Sequence, residues 1–247
     1  MTQNAVTAAI LVIGDEILSG RTKDKNIGYV ADYLTALGID LCEVRIVPDV
    51  EVEIVEALNA LRHRYTYVFT TGGIGPTHDD ITADSVAKAF NVEIHEDPRA
   101  IEMLLVRFKQ GDLNEARRRM ARIPVGASLI ENPVSNAPGF NIGNVFVMAG
   151  VPAIMQAMLD NVAPLLQNGV KVLSEIIEVP GIKEGDYGVG LAKIASAFPD
   201  VSIGSYPHLT ETGFSNQIVV RSRDGRLLKE AVKAVHDLLK ELQAQGF

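Results

Sequence analysis

Continuous apolar runs alternate with helix-patterned segments through the first part of the chain, and this alternation limits the folds open to it. Residues 8–14 read Ala-Ala-Ile-Leu-Val-Ile-Gly, a run without a charged side chain. Such runs suit strands that are buried on both faces of a parallel sheet. A helically spaced apolar pattern follows from residue 26 to 37 and stops at Gly38. The alternation predicts an α/β domain built on a mainly parallel sheet.

The same patterns place the remaining elements. In the first part of the chain we predict strands at 8–14, 41–47, 66–70 and 144–148, and helices at 26–37, 50–61, 80–90, 98–109, 113–122 and 153–166. After residue 168 the order becomes strand, helix, strand, strand, helix, at 171–179, 187–198, 201–206, 216–222 and 226–243. That order is typical of a small α+β unit. We therefore expect two domains, 1–168 and a small C-terminal α+β domain at 169–247.

Composition disfavours several classes of function. The 247 residues carry a formal net charge of −8, which argues against binding nucleic acid through bulk attraction. No apolar stretch is long enough to cross a bilayer, and the first residues lack the basic segment of a secretory signal. Cys42 is the only cysteine, so no internal disulfide can form. These features predict a cytoplasmic protein that acts on a small molecule, without a nucleic-acid or membrane partner.

Acidic residues and glycines follow three of the predicted strands. The first strand ends in Gly-Asp-Glu at 14–16, the second in Val-Pro-Asp at 47–49, and the third in the stretch 71–80. Ligands bind outside the carboxyl ends of the strands in open parallel sheets, so these segments should meet at one rim. Asp15, Asp49 and Asp80 would then belong to one site.

The stretch 71–80 reads Thr-Gly-Gly-Ile-Gly-Pro-Thr-His-Asp-Asp and joins a strand to a helix. Glycine permits positive φ and lets the backbone approach a ligand closely. N–H groups exposed in such a turn, ahead of a helix, suit phosphate or another anion. The alternative is that the glycines only make the turn and an aspartate caps the helix. The predicted ligand-binding residues are Thr71, Gly72, Gly73, Gly75, Thr77 and, after the strand at 144–148, Gly150.

The aspartates also have two interpretations. Asp15 and Asp49 each stand where a turn or helix begins, which is a normal place for a capping residue. Their convergence favours a cation instead, because clustered carboxylates repel one another and Mg²⁺ prefers oxygen ligands. We predict Asp15, Asp49 and Asp80 as metal ligands. His78 could be a general base, a metal ligand or a ligand contact, and we predict Asp49, Asp80 and His78 as catalytic residues.

A basic run lies in the predicted helix at 113–122. It consists of Arg117, Arg118 and Arg119, with Arg122 close behind. Such a run is most simply a solvated helix face. The functional alternative is an arm that reaches over a phosphate-bearing ligand.

Five segments taken together resemble the molybdopterin-binding domain of the MoaB/Mog type. They are VIGDEILSGRTKDKN, VPD, TTGGIGPTHDD, NPVSNAPGF and MAGVP. They look more like the CinA branch (competence/damage-inducible protein A), and the same domain forms the N-terminal part of eukaryotic FAD synthases. EGDYGVGLAKIASAFPDV and GSYP, at 204–207, resemble the segment that follows in those proteins. The resemblance runs from about residue 8 to 240 and implies a three-layer α/β/α fold with a mainly parallel sheet.

The resemblance also implies roles for particular residues. In Mog-like members the aspartates that correspond to Asp49 and Asp80 are functional, and the glycines of the third motif correspond to Gly72, Gly73 and Gly75. The family's PG(N/V)P turn here begins with Ala149 instead of proline, and residues 76–79 also differ. Both departures point away from molybdopterin adenylation and toward the CinA and FAD synthase branch.

The resemblance includes neither the amide-hydrolase domain of CinA proteins nor the adenylyltransferase domain of FAD synthases, so it implies neither activity. It implies a pyrophosphatase acting on ADP-ribose or FAD-like dinucleotides, with a divalent metal and K⁺. Relatives form dimers or trimers, so a homo-oligomer is expected. One alternative is binding of molybdopterin without hydrolysis, in which a carboxylate accepts adjacent pterin N–H donors. The other is a non-catalytic scaffold.

Overall fold

The computed structural model describes residues 5–210 and 213–244, without the side chains of 110, 208–210, 213 and 214. The chain divides into two compact units, Met1–Gly169 and Val170–Phe247. Among the described residues, no helix combines the length and the apolar character that crossing a membrane requires.

The first unit contains both strands and helices. Its strands are β1 (Thr7–Ile13), β2 (Asp40–Val47), β3 (Tyr67–Thr71), β4 (Ile94–Glu96), β5 (Arg122–Pro124), β6 (Ser128–Ile130), β7 (Gly139–Ile142) and β8 (Val145–Met148). Its helices are α1 (Asp15–Leu18), α2 (Asn26–Ala36), α3 (Glu51–Arg64), α4 (Thr82–Phe90), α5 (Pro98–Arg107), α6 (Glu115–Arg118) and α7 (Pro152–Val162).

A six-stranded sheet in the order β2-β1-β3-β8-β7-β6 forms the middle layer. β2, β1, β3 and β8 run parallel, and β7 and β6 add an antiparallel edge. β1 is buried from Ala8 to Ile13, because both faces of the sheet are covered. One core joins the sheet to α3, α4 and α5, and the other joins it to α2 and α7. The predicted three-layer α/β/α fold with a mainly parallel sheet is confirmed.

The strand order fixes where a ligand can bind. β1 lies between β2 and β3, so the chain leaves β1 toward one side of the sheet and returns to the other side after β2. Such a reversal opens a crevice at the carboxyl ends of the strands. Here the crevice lies between the ends of β1 and β3.

The predicted helix at 113–122 is wrong over most of its length. Only Glu115–Arg118 is α-helical; a 3₁₀ turn covers Arg119–Ala121, and Arg122 begins β5, which pairs with β4. The sequence patterns also miss the strands from β4 to β7. These strands have three or four residues each, too few for a period of two to be recognised.

The second unit has the predicted order of elements: β9 (Leu173–Pro180), α8 (Glu184–Ala197), β10 (Ser202–Thr210), β11 (Gly213–Ser222) and α9 (Gly225–Ala244). Its antiparallel sheet has the order β10-β11-β9. Apolar side chains of α8 and α9, including Tyr187, Leu228 and Val235, form one core with the inner face of the sheet.

Ser205, in the GSYP segment, ties β10 to the start of α8. Its Oγ lies 2.7 Å from the hydroxyl oxygen of Tyr187 and donates to Oε1 of Glu184 at 2.5 Å. Because the single hydroxyl proton of Ser205 goes to Glu184, the Tyr187 hydroxyl is the donor to Ser205. The motif therefore has a structural role within this unit.

Candidate functional site

A cleft of about 490 Å³ opens at the carboxyl ends of β1, β3 and β8. Two glycine turns line it, at 72–76 after β3 and at 149–152 after β8, and Glu16 and Thr22 line it from the segment after β1. The loop before β7 adds Asn132, Ser135 and Ala137, and Met120 and Ile154 add apolar side chains. Of the described residues that line the cleft, Glu16 and Asp80 are the only charged ones.

The turn after β3 requires glycine at two positions. Gly72 has φ 105° and Gly73 has φ 65°, a region that strains residues with a side chain. A Cβ on Gly72 would lie 2.1 Å from the carbonyl oxygen of Ile13. The turn therefore packs directly against the end of β1, and a larger residue would push it away.

Carbonyl groups hold this turn in place. The N–H of Thr82 donates to the Gly73 carbonyl, and Oγ1 of Thr82 donates to the Gly72 carbonyl, both at 3.0 Å. Within the described part of the chain, the N–H groups of Gly73, Ile74 and Gly75 donate to no protein acceptor. N–H groups left open ahead of a helix suit an anionic ligand.

Asp15 and Asp49 come together from the ends of β1 and β2. The N–H of Asp15 donates to Oδ2 of Asp49 at 3.0 Å. Partial burial raises the pKa of Asp49; the hydrogen bond from Asp15 opposes this, and the charges of Asp15, Glu16 and Asp79 raise the pKa further. α3 has no side-chain cap, so Asp49 does not serve as its cap.

Asp80 closes the glycine turn instead of capping α4. Its Oδ2 accepts hydrogen bonds from the N–H of Thr77 at 2.8 Å and from the Thr77 hydroxyl at 2.5 Å. α4 begins without a side-chain cap. Asp80 also lines the cleft. It lies so close to Gly75 that a Cβ added to Gly75 would be 2.6 Å from Oδ2 of Asp80.

The other predicted site residues lie in different surroundings. Thr71 is buried beside a smaller cavity, and Gly150 lines both cavities. The His78 side chain is 97% exposed, with Nδ1 3.9 Å from Oδ1 of Asp79. Asp15, Asp49 and His78 are not among the described residues that line the cleft. The structure thus joins Asp15 to Asp49 and Asp80 to the glycines, and leaves His78 in solvent.

The carboxylates fit one kind of metal site and not another. The described residues include no group of three or more His, Cys, Asp or Glu side chains arranged to hold a metal ion. Mg²⁺, however, commonly keeps several waters and binds one or two carboxylates together with phosphate oxygens of a ligand. The pair Asp15 and Asp49 fits that shared arrangement. It does not fit a cage made by the protein alone.

The sequence reasoning misses several residues of the site, three of them in the segment that follows β1. Glu16 and Thr22 line both cavities. Nδ2 of Asn26 donates to the carbonyl of Gly150 at 2.8 Å and so links the start of α2 to the turn after β8. Only their position could have identified them: they lie in the segment that follows the first strand, where residues that contact a ligand are expected.

The arginine run does not form a solvated helix face, and Arg119 and Arg122 line a small cavity beside Gly73 and Asp80. Arg118 pairs with Glu96, Arg122 pairs with Asp84, and the guanidinium of Arg117 lies 4.5 Å from the centre of the Phe108 ring. Arg119 donates to the carbonyl of Asp80 at 3.2 Å and so supports the glycine turn from behind. Met120, and none of these arginines, lines the cleft.

Two family models match the chain. The one described as "Probable molybdopterin binding domain" matches residues 9–168, and "FAD synthase, middle domain" matches residues 172–245. A crystal structure of the protein CinA with unknown function, from Thermoplasma acidophilum, is 34% identical with a TM-score of 0.62. That match covers 66% of this chain and 98% of the other.

Relatives extend the similarity across both units. A protein of Archaeoglobus fulgidus is 33% identical over 94% of this chain and 97% of its own length. A probable FAD synthase of Caenorhabditis briggsae is 30% identical over 96% of this chain, but the match covers 49% of that protein.

Proposed function

Because this chain belongs to the CinA-like family of probable molybdopterin-binding domains and carries an FAD synthase middle domain, we propose that it is a metal-dependent pyrophosphatase acting on ADP-ribose or FAD-like dinucleotides. The observation that carries the proposal is the open N–H groups of Gly73, Ile74 and Gly75 in a cleft beside carboxylates. Such a combination suits a phosphate group that is bound together with a cation.

Residues of the cleft and of the rim beside it would have different roles. The N–H groups of the glycine turn would hold the pyrophosphate, and Asp80 would keep that turn in shape through Thr77. Asp15 and Asp49 would hold a divalent cation, which would neutralise negative charge on the phosphate groups. Asp49 would also accept a proton from the water that attacks phosphorus while the P–O–P bond breaks, which gives AMP and ribose 5-phosphate from ADP-ribose.

Incubation of the purified protein with ADP-ribose and with FAD tests the proposal. AMP release is measured by chromatography, in Mg²⁺ and in excess chelator. We expect release that depends on the metal. If no AMP appears from either dinucleotide with any of several divalent metals, the proposal is rejected.

Binding of a pterin without hydrolysis is the second candidate, and the charge of the cleft favours it. Both charged lining residues, Glu16 and Asp80, are acids. An ionised carboxylate can accept two adjacent N–H groups, which a pterin ring presents. Titration calorimetry with molybdopterin and with simple pterins tests this candidate. Tight binding without dinucleotide cleavage supports it, and no binding of any pterin rejects it.

A further inference from the structure

A second cavity, of about 60 Å³, lies between the ends of β1 and β3 and the start of α2. It shares five lining residues with the larger cleft: Glu16, Thr22, Gly72, Gly150 and Pro152. A molecule bound in the cleft can therefore extend into the smaller cavity.

Asn26 gives this cavity a buried acceptor. The residue is 4% exposed, and its Nδ2 is used by the carbonyl of Gly150. Its Oδ1 is buried and has no hydrogen-bond partner in the described structure. A buried acceptor without a donor destabilises the folded protein. Native proteins usually complete such a group with a water, an ion or a ligand.

Thr71 supplies a second oxygen to the same cavity. It is 1% exposed, and its Oγ1 also lacks a partner among the described residues. Thr70 has the same two properties, but it does not belong to the described lining of the cavity. Neighbouring residues of a strand point to opposite faces of the sheet. Only one of the two threonines therefore faces the cavity that Asn26 lines.

We infer that Asn26 and Thr71 recognise an amino-substituted heterocycle, such as adenine or a pterin, by accepting hydrogen bonds from its exocyclic amine. The inference rests on the proposed function, which places a ligand in the cleft. The amine enters the small cavity, and the rest of the ligand passes Gly72 and Gly150. Its phosphate then reaches the N–H groups of the glycine turn.

The chemistry of the two oxygens selects the group that they take. The amide oxygen of Asn26 only accepts hydrogen bonds, so it repels a phosphate oxygen and attracts an amine. The Thr71 hydroxyl can accept or donate a hydrogen bond, so it can accept from the same amine as Asn26. The charged lining side chains are of mixed sign: Glu16 and Asp24 against Lys23 and Lys25. Asp24 already accepts the N–H groups of Asn26 and Ile27.

Calorimetry with two matched pairs of probes tests the inference on the full chain. The first pair is AMP and purine riboside 5′-monophosphate, which differ only in the amine. The second pair is pterin and pteridin-4-one, which differ in the same way. We expect the amine to tighten binding roughly 3- to 10-fold in at least one pair, which also identifies the heterocycle.

Two conservative variants separate recognition from folding. Thr71→Val keeps the shape of the side chain and removes an oxygen that bonds to nothing in the described protein, so the fold should persist. This variant should lose the preference for the amine. Thr70→Val is the matched control and should keep the preference. Asn26→Ala should also lose the preference for the amine. Thermal unfolding checks that this variant is still folded.

Three outcomes overturn the inference: equal affinities within both pairs, equal losses in Thr71→Val and Thr70→Val, or no binding of any probe. Dinucleotide cleavage by the same proteins is measured separately. Cleavage without a preference for the amine rejects the inference alone. A preference that depends on Thr71, without cleavage of any dinucleotide, rejects the pyrophosphatase proposal alone.

Discussion

The backbone N–H of Asp15 donates a hydrogen bond to Oδ2 of Asp49 across 3.0 Å, although the two residues are 34 positions apart in sequence. The bond joins the ends of β1 and β2 at the rim of the sheet. It also keeps the Asp49 carboxylate close to the charges of Asp15, Glu16 and Asp79, which raise its pKa. Negative charge is therefore concentrated around Asp49 at this rim.

Asp49→Asn should raise the melting temperature near neutral pH. Partial burial lifts the pKa of Asp49 in the folded state above its ordinary value of 3.8, so the folded chain holds this proton more tightly than the unfolded chain. The resulting stability is present below the unfolded pKa and is lost as pH rises through the folded pKa. The variant avoids that loss. Its advantage should therefore shrink as pH falls toward about 4, close to the ordinary pKa.

Scanning calorimetry between about pH 4 and pH 7 measures this difference. Glu102→Gln, at an exposed position of α5, is the control for loss of one negative charge. A melting temperature of Asp49→Asn below that of the wild type at neutral pH would contradict the prediction.

Mg²⁺ should stabilise the wild type more than either Asp15→Asn or Asp49→Asn. A cation relieves repulsion among clustered carboxylates and binds only the folded chain, so it raises the melting temperature by mass action. The comparison is made at constant ionic strength with NaCl. Equal shifts in all three proteins would show that the cation does not bind at this pair.

Asp80→Ala should lower AMP release from ADP-ribose by roughly 100-fold, because the turn that presents the open N–H groups loses the acceptor of both Thr77 hydrogen bonds. Asp79→Ala is the neighbouring control, with a side chain that is 62% exposed in the wild type. It should keep most of the rate. It should also move the acid limb of the pH profile to lower pH, because the Asp79 charge raises the pKa of Asp49. Equal losses in both variants would refute a specific role for Asp80.

Gly72→Ala should destabilise the protein by about 2–5 kcal/mol, from positive-φ strain and the clash with the Ile13 carbonyl. Gly28→Ala is its counterpart, because Gly28 lies in α2 with nothing within 4 Å of an added Cβ. Alanine there should stabilise by about 0.5–1 kcal/mol. Urea unfolding measures both changes. A Gly72→Ala variant as stable as the wild type would mean that the turn can move off β1.

Ser205→Ala should destabilise the second unit by about 1–3 kcal/mol, because Tyr187 and Glu184 both lose their partner. Ser196→Ala is the control: Ser196 Oγ bonds back to the carbonyl of Ala192 on the exposed side of α8. That change should be neutral or slightly stabilising. Hydrogen exchange of β10 amides reports the difference, and equal protection in the two variants would rule out the structural role of Ser205.

Apolar patterning along the chain identifies the order of the longer elements in both units and the rim at which the candidate site lies. The apolar run of β1 requires a sheet that is covered on both faces, and periodicity identifies the long helices. Patterns of two and 3.6 residues report only which face of a long element is buried. They therefore missed the short strands from β4 to β7 and made the segment at 113–122 too helical.

The hydrogen bonds of the rim residues follow from tertiary contacts. Sequence position could not show that Asp49 accepts from Asp15, that Asp80 accepts from Thr77, or that His78 points into solvent. Nor could it show that Asn26 bonds to Gly150, 124 residues away, and keeps a buried oxygen beside a cavity. Such contacts depend on strand order and turn conformation, which bring together groups that are far apart along the chain. The apolar pattern of a single element does not indicate which distant groups it will contact.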